Sequence, residues 1–295
     1  MSASVAGRQA ARLRRWRFVV WTLSGSASAL VGLGLVAAFL LLAAAGPLLV
    51  PYPDDARGAM HLAQKLLAPS AAHWFGTDEM GCDILTRVVV GTRTSLWVGL
   101  TITGVAAAIG VPLGVAAGYL GGRTRATIMR VTDVFLAVPG LVLALAIVAA
   151  LGPSTMHGVV ALSLVWWPGY VRLIEAKALT LRHEPYVEAA RTMGAGHVWV
   201  LARHILPNCL SPLGVKASMD MGLAILAAAS LGFVGLGARP PAPEWGAMIA
   251  VARGYMPDWW WYSFFPGLFI FLTVLGFNLL GDGLRDVLDP RSARG

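Results

Sequence analysis

Charge is scarce in this chain: Asp, Glu, Lys and Arg make up 13% of 295 residues, against 57% hydrophobic ones, and the mean hydropathy is +0.69. That balance excludes an ordinary soluble domain. A helical span needs roughly 20 apolar residues, and the apolar runs supply about six of them. Cysteine is scarce too. Cys82 and Cys209 are the only two, and neither belongs to a cluster with metal-ligand spacing. The topology below puts them on opposite sides of a bilayer, so neither a disulfide nor a metal site is expected from them. No G-x-x-x-x-G-K-[ST] sequence occurs, so the chain has no phosphate-cradling loop of its own. His157, His183, His197 and His204 fall in turns or in one short segment, which leaves no convergent set for an intramembrane enzyme. The net charge of +8 does not indicate nucleic acid, because the arginines lie between apolar runs, where membrane topology places them.

What is present reads as an all-α polytopic membrane protein. Residues 1–22 form a basic cytoplasmic N-terminus, and 23–50 the first span. Arg14 and Arg15 imitate a twin-arginine export signal, but the apolar run after them is longer than a signal core and more membrane follows. Gly32, Gly34 and Ala37 spell G-x-G-x-x-A within that run with no strand before them, which speaks against a dinucleotide site. Residues 51–95, stiffened by Pro51, Pro53 and Pro69, form the largest external segment, in which Asp78, Glu79 and Asp83 read as solvated acids or internal caps rather than cation ligands. The core, 96–284, holds the other spans, near 96–119, 131–151, 158–179, 210–236 and 263–280, and 285–295 is a cytoplasmic tail.

Pro139 with Gly140 should break the third span, and Pro168 with Gly169 the fourth. Lipid tolerates a broken helix where protein or a water-filled passage surrounds it. Pro139, Gly140, Trp166 and Trp167 are therefore candidates to line a passage, with plain packing as the alternative. Trp259, Trp260 and Trp261 read first as an interfacial belt. Asp133, Glu175, Lys216 and Asp220 fall towards the ends of their predicted spans, which speaks against a proton relay, and Lys216 with Asp220 reads as a neutralising pair four residues apart. Basic residues in the cytoplasmic segments outnumber the external Arg57, Lys65, Arg87, Arg93, Arg239 and Arg253 by more than two to one, which puts both termini inside.

Between the fourth and fifth spans lies segment 180–207, ending in Glu188 to Pro207, EAARTMGAGHVWVLARHILP. Tyr186 to Met193 is free of Gly and Pro and rich in helix formers. Gly194 and Gly196 break it, and His197 to Leu206 stops at Pro207, so two short helices joined by a glycine corner are expected. Ala189 and Ala190 leave a face with little side chain, open to close approach by a partner.

Glu188, Ala189, Ala190, Gly194, Leu206 and Pro207 resemble the EAA motif of ABC importer permeases in order and spacing. RHILPN at Arg203 to Asn208, the HWFGTD start of the segment His73 to Leu96, SLGFVGLG at Ser230 to Gly237 and GDGLRDVLDPR at the tail are similar to the C-type (DppC/OppC-like) subunit of the dipeptide, oligopeptide and nickel branch. Cys82 stands where that branch usually has Arg, and His204 where the generic motif has an aliphatic residue. The resemblance implies a type I-like fold of roughly six transmembrane helices with a cytoplasmic coupling helix, in the cytoplasmic (inner) membrane. It implies that the six motif residues contact an ATPase and that no catalytic residue or cofactor belongs to this chain, ATP and Mg being bound by two partner ATPase domains. The other implied partners are a second homologous permease and an extracytoplasmic solute-binding protein, for which Trp259, Trp260 and Trp261 are a candidate contact. Inward passage of a dipeptide or oligopeptide by alternating access is the expected function. Nickel, glutathione or haem on the same machinery, and an ATP-independent channel, are the alternatives.

Overall fold

Side-chain caps and glycine corners set where the helices of this computed structural model begin; it describes residues 26–239 and 241–288. The basic N-terminus and the end of the tail lie outside the described residues. Helix α1 (Ala27–Leu49) starts at Ser26, whose hydroxyl accepts from Ala29 N, and α2 (Ile84–Leu120) at Asp83, whose carboxylate accepts from Thr86 N. Each cap satisfies an N–H that a first turn leaves free. Helix α3 (Gly122–Leu136) follows a corner at Gly121, φ +67°, and α4 (Gly140–Leu151) follows a break before Pro139. Ser154 caps α5 (Thr155–Leu181). The short α6 (Pro185–Thr192) and α7 (His197–Val200) lead into α8 (Leu206–Phe233), and α9 (Trp245–Ala252) and α10 (Trp260–Leu288) complete the order. Among the described residues the sole β pairing is one bridge, Thr77 with Asp83. Five helices are long and apolar enough to cross a membrane, α7 through α8 counting as one, and α3 with α4 makes a sixth if that bent pair is one span.

The spans depart from the sequence reading in four places. Helix α2 begins at Ile84, twelve residues before the span expected at 96, so it runs on into segment 51–95. The third span breaks at Pro139 as expected, but α3 takes in the basic stretch from Gly122 and meets α4 at 80°. Proline lacks the N–H a continuing helix needs and turns the residue before it away from helical geometry. Alone, the 12 residues of α4 extend only about 18 Å, short of a bilayer core. Helix α5, by contrast, runs unbroken through Pro168. Finally, residues 238–262, which the sequence reading leaves as a connection between two spans, hold α9, whose Trp245 is fully buried and donates to the Val88 carbonyl at 3.0 Å.

The persistence of α5 has a tertiary cause. Gly110, Gly114 and Gly118 form a stripe on α2 at four-residue spacing, and a Cβ on them would lie 2.5 Å from Tyr170 Cβ, 2.7 Å from the Val171 oxygen and 2.5 Å from the Glu175 oxygen. The two backbones therefore touch along the crossing, as small-residue stripes permit in membranes.

At the head of the bundle, residues 51–83 fold onto the first turn of α2 by burying Asp55, Asp78 and Asp83. Asp78 accepts from Met80 N and Cys82 N, both at 2.9 Å, and pairs with Arg87. Asp83 lies 3.0 Å from His73 Nδ1, Asp55 accepts from Asp83 N at 2.7 Å, and Glu79 accepts from the Tyr262 hydroxyl. Asp78 and Asp83 are thus internal caps. The Cys82 thiol donates to the Ala59 carbonyl at 2.8 Å, and burial, reinforced by the charge of Asp78, pushes it up to about 12.

Candidate functional site

At the other end of α2, the elbow formed by α6 and α7 turns on one residue. Gly194 adopts φ +86°, a conformation that costs an L side chain about 1–2 kcal/mol. Around it Ala195 N donates to the Ala190 carbonyl and Gly194 N to the Arg191 carbonyl, both at 3.0 Å. This is the Schellman pattern, which satisfies the carbonyls a helix end leaves free. Gly196 is extended, and α7 starts after it.

The second helix does not stop at Pro207 as the sequence suggested. Leu201–Ile205 form a π turn in which Leu206 N donates to the Leu201 carbonyl, and the chain continues as α8 with Pro207 in its first turn. A wider turn before the proline absorbs both its missing N–H and the clash of its ring with the preceding turn. The elbow and the fifth span are consequently one mechanical piece.

One face of the elbow is buried in its own chain. Val187, Val200, Ile205 and Cys209 pack with Tyr119 of α2 and Ile174 of α5. The Tyr119 hydroxyl is 3.0 Å from His197 Nδ1, and the Arg191 guanidinium lies 6.0 Å above the Tyr119 ring. The other face has no cover: Met193 is 82% exposed, Val198 80% and Trp199 52%.

The motif residues divide between these faces. Glu188 and Ala189 point outward, Glu188 3.8 Å from His183 Nδ1, and Gly194, Leu206 and Pro207 are also exposed. Ala190 is buried, so the small-residue face expected from Ala189 and Ala190 together does not form; consecutive helical residues are about 100° apart. Sequence reasoning missed Met193, Val198 and Trp199. Their signal was present in HVWV, which is apolar on more sides than one buried face can use.

The remaining expected residues do not converge on the elbow. Pro139 is exposed at the break between α3 and α4, and Gly140 adjoins Val165. Trp166 is half-buried, but Trp167 is buried edge-on to Phe135 at 5.2 Å and packs within the chain rather than lining open space. Trp261 is likewise buried, in the core with Trp245 and Tyr262, whereas Trp260 is exposed and Trp259 half-buried. Of the three tryptophans, Trp260 offers an outer partner the most surface in this arrangement.

A family profile described as binding-protein-dependent transport system inner membrane component matches residues 110–294, across the elbow and its supports. The chain belongs to that family. A second profile, the N-terminal transmembrane domain of oligopeptide transport permease C, matches residues 14–69. Among similar relatives is the probable D,D-dipeptide transport system permease protein DdpC of Escherichia coli K12, 48% identical over 93% of this chain and 91% of that protein. The dipeptide transport system permease protein DppC of Alkalihalophilus pseudofirmus is 44% identical, over 94% and 90%, and the glutathione transport system permease protein GsiD of Pectobacterium atrosepticum 47%, over 82% and 80%. These place the chain in the C-type branch of ABC importer permeases. A solved chain of the methionine ABC transporter MetNI in an inward-facing conformation superposes with a TM-score of 0.55 at 20% identity, over 68% of this chain and 96% of that one. That likeness shows the fold, an all-α, multi-pass, type I-like permease.

Proposed function

We propose that this chain is one of two homologous permease subunits of an ATP-driven importer that passes a dipeptide or oligopeptide inward by alternating access. Two ATPase domains bind ATP and Mg, and a solute-binding protein delivers cargo at the head. The observation that carries this reading is the division of the elbow into a face locked to α2 and α5 and an uncovered apolar face. Uncovered patches of this kind mark interaction surfaces. Closure of the ATPases around bound ATP would move the uncovered face, and the packing of Val187, Val200 and Ile205 passes that movement to the spans. The closed ATPase state must favour one arrangement of the spans, or no shift in population follows. On this reading the elbow is cytoplasmic and the head external.

Replacing Gly194 with Val tests it. No atom lies within 4 Å of an added Cβ there, so the expected defect is backbone strain at the corner rather than a clash. The variant should assemble and hydrolyse ATP but lose most uptake of labelled dipeptide in proteoliposomes; uptake at the parental rate would count heavily against coupling through the elbow. Glutathione, named for one relative, is the second cargo to assay. A channel would instead pass solute without nucleotide.

A further inference from the structure

Lys216 and Asp220 stand near the middle of a helix long and apolar enough to cross a membrane. At 1.5 Å per residue Lys216 is about 15 Å along α8 from Leu206, and Tyr170 about 22 Å along α5 from Thr155. Both are mid-span, contrary to the expectation that the pair lies towards a span end. Lys216 Nζ is 2.9 Å from Asp220 Oδ2 and 5.0 Å from the centre of the Tyr170 ring. It rests on Gly169, where an added Cβ would come within 3.3 Å of it. Asp220 is buried, and the buried Tyr170 hydroxyl faces its carboxylate. Lys216 nevertheless keeps 26% of its side chain exposed. An ammonium at this depth is strongly disfavoured against hydrocarbon, so its open side faces water or another protein chain. Apolar residues of similar volume would hold the helices as well as this pair does, so packing alone does not account for it.

We propose that Lys216, with Asp220 and Tyr170 behind it, is a binding site for the terminal carboxylate of a peptide-like solute. Asp220 neutralises Lys216 while the site is empty. When cargo arrives, its carboxylate pairs with the open side of the ammonium, so Lys216 lies between the two carboxylates and Asp220 keeps both Lys216 and the Tyr170 hydroxyl as partners. No covalent step is involved. The inference rests on the peptide-import reading and adds the chemical group the passage recognises.

The test uses the assembled importer in proteoliposomes, with labelled alanyl-alanine and its C-terminal amide as probes. Lys216→Met should lower uptake of the free acid by about tenfold or more, the loss of a charge-assisted hydrogen bond, while changing amide uptake less than about twofold on the same scale. Lys216→Arg should retain most free-acid uptake, and Tyr170→Phe should lower it several-fold. Equal uptake of the free acid by parent and Lys216→Met overturns the proposal. So does loss of the second permease from purified Lys216→Met, which would make Lys216 an interface residue. Should Lys216→Met fail to insert, Lys216→Met with Asp220→Leu leaves no unpaired charge, and full free-acid uptake by that double variant overturns the proposal equally. Absence of ATP-driven uptake of either probe by the parent would refute the import reading itself, whereas parental uptake with an indifferent Lys216→Met refutes only the site.

Discussion

The two ends of α2 are finished in opposite ways. At Ile84 the head buries Asp55, Asp78, Asp83 and Arg87 among partners from its own chain. At Leu120 the elbow buries Val187, Val200 and Ile205 but leaves Met193, Val198 and Trp199 outward. A network whose buried acids are each paired within the chain can hold its shape alone. The elbow is mechanically joined to the spans yet unfinished at its surface, which is the arrangement a moving partner needs. On the proposed reading the head resists displacement and the elbow transmits it.

The contrast is open to experiment, and the head should give the largest effect on stability. Arg87→Met leaves Asp78 buried without its cation, and unfolding in detergent should show a loss of about 3–5 kcal/mol. Part of it should return when Asp78→Asn is added. A variant as stable as the parent would show that the head is not held by this pair. Gly118→Val sharpens the comparison midway, because its Cβ meets the Glu175 backbone oxygen; overpacking of this kind costs about 1–3 kcal/mol, readable in the same melt. Tyr119→Phe removes the contact with His197 and should cost about 1 kcal/mol, with a fall in uptake per ATP hydrolysed. Met193→Ser combined with Val198→Ser should leave the melt within about 0.5 kcal/mol while reducing ATPase copurification several-fold. The smallest effect belongs to Cys82. With its thiol pushed up to about 12, it is almost wholly protonated at pH 8, so maleimide labelling of the folded protein should be negligible there and appear only on unfolding.

Local chemistry made some of this legible in advance. The corner at Gly194 could be read because a helix end that turns sharply back leaves few residues other than glycine to choose from. Asp78 and Asp83 were readable as solvated acids or internal caps rather than cation ligands, and the structure makes them caps. Elsewhere tertiary contacts decided against the local signal. Pro168 suggests a break, but a whole face of α5 is held against the glycine stripe of α2; that stripe was visible as a spacing of four at Gly110, Gly114 and Gly118 yet was not read as a crossing. The basic stretch after Gly121 resembled a turn, although its charges sit on a helix that lies at 80° to α4. Pro207 likewise looked like a terminator until the π turn carried the chain past it, and the same continuity placed Lys216 at mid-span. Ala190 shows the finer limit: a motif fixes spacing along the chain, while rotation about the helix axis decides which alanine faces a partner.

The central claim is that the uncovered face of the elbow is gripped by an ATPase. Ala189→Cys in a background with Cys82→Ser and Cys209→Ser, exposed to a short bifunctional maleimide in membranes containing the assembled importer, tests it most directly. The account requires a cross-linked product joining this chain to the ATPase, with ATP-dependent uptake falling as the product forms. Labelling of that cysteine by an impermeant reagent applied outside intact cells, with no ATPase adduct, would contradict it.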